Sequence, residues 1–571
     1  MSKTTMYRPD FVRKTFISLA VLLCLLGNAV SMTAQSLRIE DMKKNFSKEE
    51  WFKASGGVKA EGSYYAANPN YGRPPWTYLL SANVNFKLFN LIDLPFSINL
   101  SNTGFTYAYP NMPNRFALHP SYKWITLHVG DISMTYSPYT LAGHQFTGAG
   151  IDLTPDHWQA SVMFGRLQRA VEYNPENTST TVPACYKRLG TGARLRYDHD
   201  VFYIGTNVLL AKDYEKSLAW KPDSLGIKPQ QNLATDFEAG VTIAECVKLS
   251  GEYAFSFLER DLRVAEHQSV NFYQAFKAGI HYNKDSYSVG IGYERIDPEY
   301  TSLGAYYFNN DLENYTADFA GAFLDGKMSL AVSVGVELNN LEEKWQDRDL
   351  RFIGSANWSW QPNESTSLSL NYSNFQTHQN VKSQFDYINQ YDITENLDTL
   401  TFTQLSHNAG ANASYRFSHG ENQDHNLNFN ASLQISTDNY NDSIPETGRN
   451  TMFNSGLSHS VNFKEQQLTL GSSLNYTYSQ NIVDSHFFGP SLTLGIGFLE
   501  KTLQWNTSLS ANAGMTNANF DRVIANARTT LAYTLLKHHK FSLSGVVQHQ
   551  WRFTNTNTFN TNATLSYAYN F

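Results

Sequence analysis

From Trp76 to the last residue the chain repeats a two-residue period. In Trp76 to Phe89, Tyr78, Leu80, Ala82, Val84, Phe86 and Leu88 share one parity, and Ser81, Asn83, Asn85 and Lys87 share the other. Successive side chains of a strand point to opposite faces, so this period builds a strand that is apolar on one face and polar on the other. It returns at Phe202, Ile204, Thr206, Val208 and Leu210, and at Phe237, Ala239, Val241 and Ile243. It returns again at Met328, Leu330, Val332, Val334 and Val336, at Leu427, Phe429, Ala431, Leu433 and Ile435, and at Leu503, Trp505, Thr507, Leu509 and Ala511.

A soluble sandwich alternates as well, so the spacing of the connections has to decide. Tight connections fall near Asp198-His199-Asp200, Asn283-Lys284-Asp285, Asp325-Gly326, Gln361-Pro362-Asn363, Lys464-Glu465, Glu500-Lys501 and Lys537-His538-His539. Between them lie long ones at about 171–186, 212–232, 296–312, 376–402 and 436–450. Alternating short turns and long loops are the pattern of a transmembrane barrel with periplasmic turns and external loops. Only a closed barrel satisfies every strand hydrogen bond within lipid. The expected fold is therefore all-β, a transmembrane antiparallel β-barrel of about 24 strands, within a range of roughly 20 to 26.

Composition removes the other classes. Mean hydropathy is -0.40, and after the first thirty or so residues no apolar run nears the ~20 needed for a spanning helix. Charged residues are only 17% of the chain while aromatics reach 14%; Asn, Ser, Thr and Gly occupy the polar positions instead, densely so after about residue 350. A net charge of -7 and no basic cluster interleaved with aromatics argue against nucleic acid as a partner. Tyr122 and Trp124, Trp358 and Trp360, Tyr415 and Phe417, Tyr476 and Tyr478, and Trp551 lie toward segment ends, where interfacial girdles form.

The N-terminus reads as an address. Lys3, Arg8, Arg13 and Lys14 precede the apolar run Phe16 to Leu26, and Ser31 to Gln35 offers a cleavage region, cut after Ala34. The expected organisation is a signal peptide at 1–34, a short periplasmic tail or luminal hatch at 35–75 and the barrel at 76–571. Within 35–75, Ser47 to Glu50 could cap a helical turn. Cys24 lacks the small residues before it that a lipoprotein cleavage site requires. Cys185 and Cys246 have no zinc-type spacing; an oxidising periplasm would allow a disulfide between them, but they are expected as isolated thiols.

The final segment carries a resemblance. Phe559, Thr561, Ala563, Leu565, Tyr567, Tyr569 and Phe571 share one face opposite Asn560, Asn562, Thr564, Ser566, Ala568 and Asn570. This resembles the C-terminal β-signal of Gram-negative outer-membrane barrel proteins, carried here by Leu565, Tyr567, Tyr569 and Phe571. The resemblance implies a place in the cell outer membrane, lipid as surroundings and the barrel-assembly machinery as a partner during insertion. TonB-dependent transporters are similar in strand count, but their plug domain is far larger than Gln35 to Pro75, and the chain has no gap for the inserted plug of a fimbrial usher.

Expected function follows from the polar parity. A large barrel without a full plug suits an outer-membrane channel for passive passage of small hydrophilic solutes. The alternative is a structural subunit of an outer-membrane assembly or secretion complex, with other envelope proteins as partners. Arg188, Arg194 and Arg196 share a polar parity and are candidate selectivity residues, while Asp236, Glu238 and Glu252 on nearby polar faces could pair with them as braces. The glycine-rich segment 128–150 could turn inward as a constriction or bend the wall. The 16 histidines are scattered, and no G-x-S-x-G, H-E-x-x-H or P-loop occurs, so no enzyme, cofactor or metal site is expected.

Overall fold

The computed structural model describes residues 51–69, 74–102, 114–172, 184–219, 227–264, 270–306, 309–342, 349–374, 405–437, 449–480, 483–553 and 557–571. The expected signal peptide and the Ser47 to Glu50 cap lie outside them. Strands run from β1 (Phe52–Asn68) to β27 (Thr558–Asn570), neighbours in the wall are antiparallel, and β27 pairs back onto β1 from Asn68↔Phe559 to Gly57↔Asn570. Phe571 completes the seam, its N–H and C=O each bonded to Gly56 at 3.0 Å. The sheet has no free edge.

β4 (Arg115–Leu118) and β5 (Ser121–Tyr122) share one place in the wall beside β6 (Ile125–Thr135). Ala117 faces Gly130 and Ser121 faces Thr126 in a single register, interrupted at His119-Pro120, where proline brings no N–H. The wall thus has 26 strands, inside the expected range.

The wall starts at Phe52 rather than Trp76, so Phe52–Asn68 within the expected tail or hatch at 35–75 is a barrel strand. Its alternation is faint because Val58, Ala60 and Gly62 stand opposite Tyr569, Tyr567 and Leu565 of β27. The large apolar side chains of this face come from the partner strand.

Short connections gather at one end, at 199–201, 285–286, 324–327, 464–467, 499–502 and 536–538, and long ones such as 215–230 and 297–311 at the other. The short-turn end is the periplasmic one by the rule for such barrels. On the outside, Trp505, Leu531, Leu543 and Leu565 form one cross-strand row, and Leu474, Leu492 and Leu565 are about 60% exposed. On the inside, Asn560 donates to Gln548, Gln548 to Asn526 and Asn526 to Ser510, at 3.2, 2.9 and 3.2 Å. The outer face is dressed for lipid and the inner face for hydrogen bonding.

Aromatic rings rim the periplasmic end, where Phe541 meets Tyr567 at 4.9 Å and Tyr569 stacks on Phe571 at 5.6 Å. Amphipathic rings favour the membrane interface. The four residues of the β-signal resemblance lie on this outward face.

Candidate functional site in the lumen

Two external loops turn into the barrel. Loop 136–141 joins β6 to β7 (Ala142–Leu153), and loop 297–311 joins β14 (Tyr287–Ile296) to β15 (Leu312–Phe323). Tyr139, Thr140, Leu141, Tyr300, Ser302 and Leu303 are buried, as no residue of a solvated loop would be. Leu141 and Gly304 form a parallel bridge, Ala142 N–H donates to Gly304 O at 3.1 Å, and the Tyr300 hydroxyl donates to Tyr139 O at 3.0 Å. The loops hold each other before they hold the wall.

The wall receives them in two layers. Toward the external end, Leu209 and Ala211 of β10 (Phe202–Tyr214), Ala254 and Leu258 of β12 (Val247–Glu259), and Ala275 of β13 (Val270–Lys284) pack with Leu141, Tyr300 and Leu303 in one buried apolar cluster. In this stretch both parities are apolar, as in Val208-Leu209-Leu210-Ala211, the composition of a strand covered on both faces. Polar anchors ring the cluster. Ser256 Oγ donates to Thr301 O at 2.6 Å, and Leu303 N–H donates to Asn232 Oδ1 at 3.1 Å.

Below that layer lies a charged one. The Ser137 hydroxyl donates to Glu252 and the Tyr139 hydroxyl donates to Glu294. Burial, and then the neighbouring Glu294, push the Tyr139 phenol far above its ordinary range; burial does the same to Tyr300. Both hydroxyls therefore stay protonated donors across the physiological pH range. Within the glycine-rich segment 128–150, the loop 136–141 turns inward while 128–135 and 142–150 are wall strands.

The three arginines proposed for selectivity all face the lumen, and all three are paired. Arg188 forms a fork to Asp213 at 2.7 and 3.0 Å. Arg194 reaches Glu238 and Tyr136 O, both at 3.4 Å. Arg196 binds Glu238 and Asp198 at 2.9 and 2.8 Å and lies 4.0 Å from the Tyr203 ring centroid. Arg188 and Asp213 are 13% and 3% exposed, so removing one strands the other in a dry place. Arg188→Gln is expected to cost about 3–5 kcal/mol of stability with little change in ion preference, checked by unfolding and by reversal potentials in a salt gradient.

One histidine chain also faces inward. Nδ1 of His119 and of His128 are 2.8 Å apart, His128 Nε2 is 2.8 Å from Asp152, and the Ser161 hydroxyl donates to Asp152 at 2.5 Å. The Ser161 hydroxyl meets the carboxylate rather than an imidazole. Among the described residues no cluster of three or more His, Cys, Asp or Glu side chains is arranged to hold a metal, and Cys185 and Cys246 are free thiols.

No protein-family model and no curated protein matches the sequence. Among solved structures, the translocation pore of the P pilus usher PapC is 11% identical, with 90% of this chain and 98% of that one covered and a TM-score of 0.36. The ferric citrate transporter FecA is 8% identical, covering 90% of this chain and 78% of its own at a TM-score of 0.34. OccAB4 of Acinetobacter baumannii is 11% identical, covering 66% and 98% at 0.29. At these values the barrel's own register carries the architecture. A wall without an edge, exposing Leu474, Leu492 and Leu565 on its outside, is stable only with lipid around it, and the chain is a β-barrel of the outer-membrane class.

Proposed function

We propose that the protein is an outer-membrane channel for passive passage of small hydrophilic solutes, narrowed from within by its own two loops. The observation that carries this reading is a cavity of about 1150 Å³ at the periplasmic end. Ser288, Ala320, Ala331, Asn357 and Asn371 line it as one inward row across five neighbouring strands. Small hydroxyl and amide groups on a wide wall solvate a polar solute without holding it. Passage would need no energy input and no catalytic step, and the arginine pairs would keep the wall in shape. Purified protein in a planar bilayer is expected to conduct, and proteoliposomes to swell in small neutral sugars. Silent bilayers and unswollen vesicles would remove the channel reading.

A second reading, a structural subunit of an envelope assembly, is favoured by one observation. Asn512, Gln548 and Asn560 are inward residues, yet they are only 2%, 2% and 4% exposed. Stable co-purification with other envelope proteins from native membranes, together with silent bilayers, would favour it.

A further inference from the structure

Beneath loop 136–141, three oxygens at one place lack a hydrogen-bond donor. Thr140 of that loop, Asn207 of β10 and Asp236 of β11 (Gln231–Ile243) are fully buried, and Thr140 Oγ1, Asn207 Oδ1 and Asp236 Oδ2 have no partner within hydrogen-bond distance and angle among the described residues. They form one cluster. Asn207 Nδ2 donates to the other Asp236 oxygen at 2.7 Å, and the Thr140 hydroxyl lies against the same carboxylate. Buried polar atoms are nearly always satisfied, and one left bare carries its full desolvation cost.

The surrounding charge calls for a cation. Asp236, Glu238, Glu252 and Glu294 face Arg194, Arg196 and Lys277 on neighbouring inward positions, and Arg196 is shared with Asp198. Arg194 is turned to Glu238 and to Tyr136 O, and no basic side chain among the described residues bonds Asp236. We propose that Thr140, Asn207 and Asp236 hold a hard cation that clamps loop 136–141 to the wall. Hydroxyl, amide and carboxylate oxygens are the ligands that calcium and sodium take, and without nitrogen or sulfur the set does not suit zinc or copper. The cation would tie a loop residue to two wall strands at the point where the plug meets the barrel. This clamp stands whether the lumen conducts or is a scaffold.

The test uses the full-length chain, purified in detergent free of lipopolysaccharide and stripped with chelator into choline chloride. Calcium chloride is titrated in one arm and sodium chloride in the other at matched ionic strength. Melting temperature is read in both, with radioactive calcium dialysis and sodium resonance linewidth reporting binding directly. A saturable rise in melting temperature with one of the two ions, and about one ion bound per chain, is expected; which arm responds identifies the ion. Asp236→Asn keeps the shape and should abolish the response, while Asp424→Asn, at an exposed carboxylate, should keep it. Thr140→Val should weaken it and serves if Asp236→Asn does not fold. Identical melting in choline, sodium and calcium with no bound ion, or a response that survives Asp236→Asn and Thr140→Val, would mean that the oxygens hold buried water, and the proposal would fall.

Discussion

Gly304→Val is expected to raise the conductance of the barrel while the wall stays folded. A Cβ at this position would stand 2.2 Å from Leu209 Cδ2, 2.7 Å from Thr140 O and 3.3 Å from Leu141 Cα, so the bridge between the two loops cannot form around it. Overpacking of this kind costs about 1–3 kcal/mol, and the least costly relief is for loop 297–311 to leave the lumen. β14 and β15 would remain paired from Tyr287↔Gly321 to Ile296↔Leu312, which is why the wall should survive. Gly62→Ala is the control, since nothing lies within 4 Å of its Cβ. Unchanged conductance with an unchanged melting temperature in Gly304→Val would contradict the packing described.

Leu509→Arg should destabilise the folded protein in lipid by about 2–4 kcal/mol, the cost of a cation on the lipid face near the bilayer midplane. Leu509 sits in the middle of β24 (Leu503–Thr516), is 55% exposed and is paired with the outward Leu492. Ser508→Arg, one residue away on the luminal parity, should cost far less. Equilibrium unfolding in vesicles separates the two, and equal effects would mean that the outward and inward faces have been exchanged.

The wall was legible because its signal is local. Leu503, Trp505, Thr507 and Leu509 announce a strand and its outward face without reference to any other residue, and turns expected at Asp325-Gly326 and Glu500-Lys501 lie at 324–327 and 499–502. β1 was harder to read, since Gly62 is outward only by virtue of Leu565 across the seam. The luminal plug was half visible. Glycines marked 128–150, but nothing around Tyr300 distinguishes it from any long external loop, because its partner Tyr139 is 161 residues away. The available signal was on the wall, where Val208-Leu209-Leu210-Ala211 is apolar on both parities. Glu238 was legible as a partner of Arg194 and Arg196, whereas the pairing of Arg188 with Asp213 and of Arg196 with Asp198 depends on a neighbouring strand and on a side chain two residues along.

The most direct test of the folded-in loops is the reactivity of Ser302→Cys toward a membrane-impermeant maleimide applied to intact cells, in a background where Cys185 and Cys246 are alanine. Ser302 is 2% exposed and its hydroxyl donates to Thr140 O inside the barrel. The thiol should resist labelling, and adding Gly304→Val should make it react. Labelling of Ser302→Cys alone, at the rate of a cysteine on an open external loop, would show that loop 297–311 does not fill the lumen.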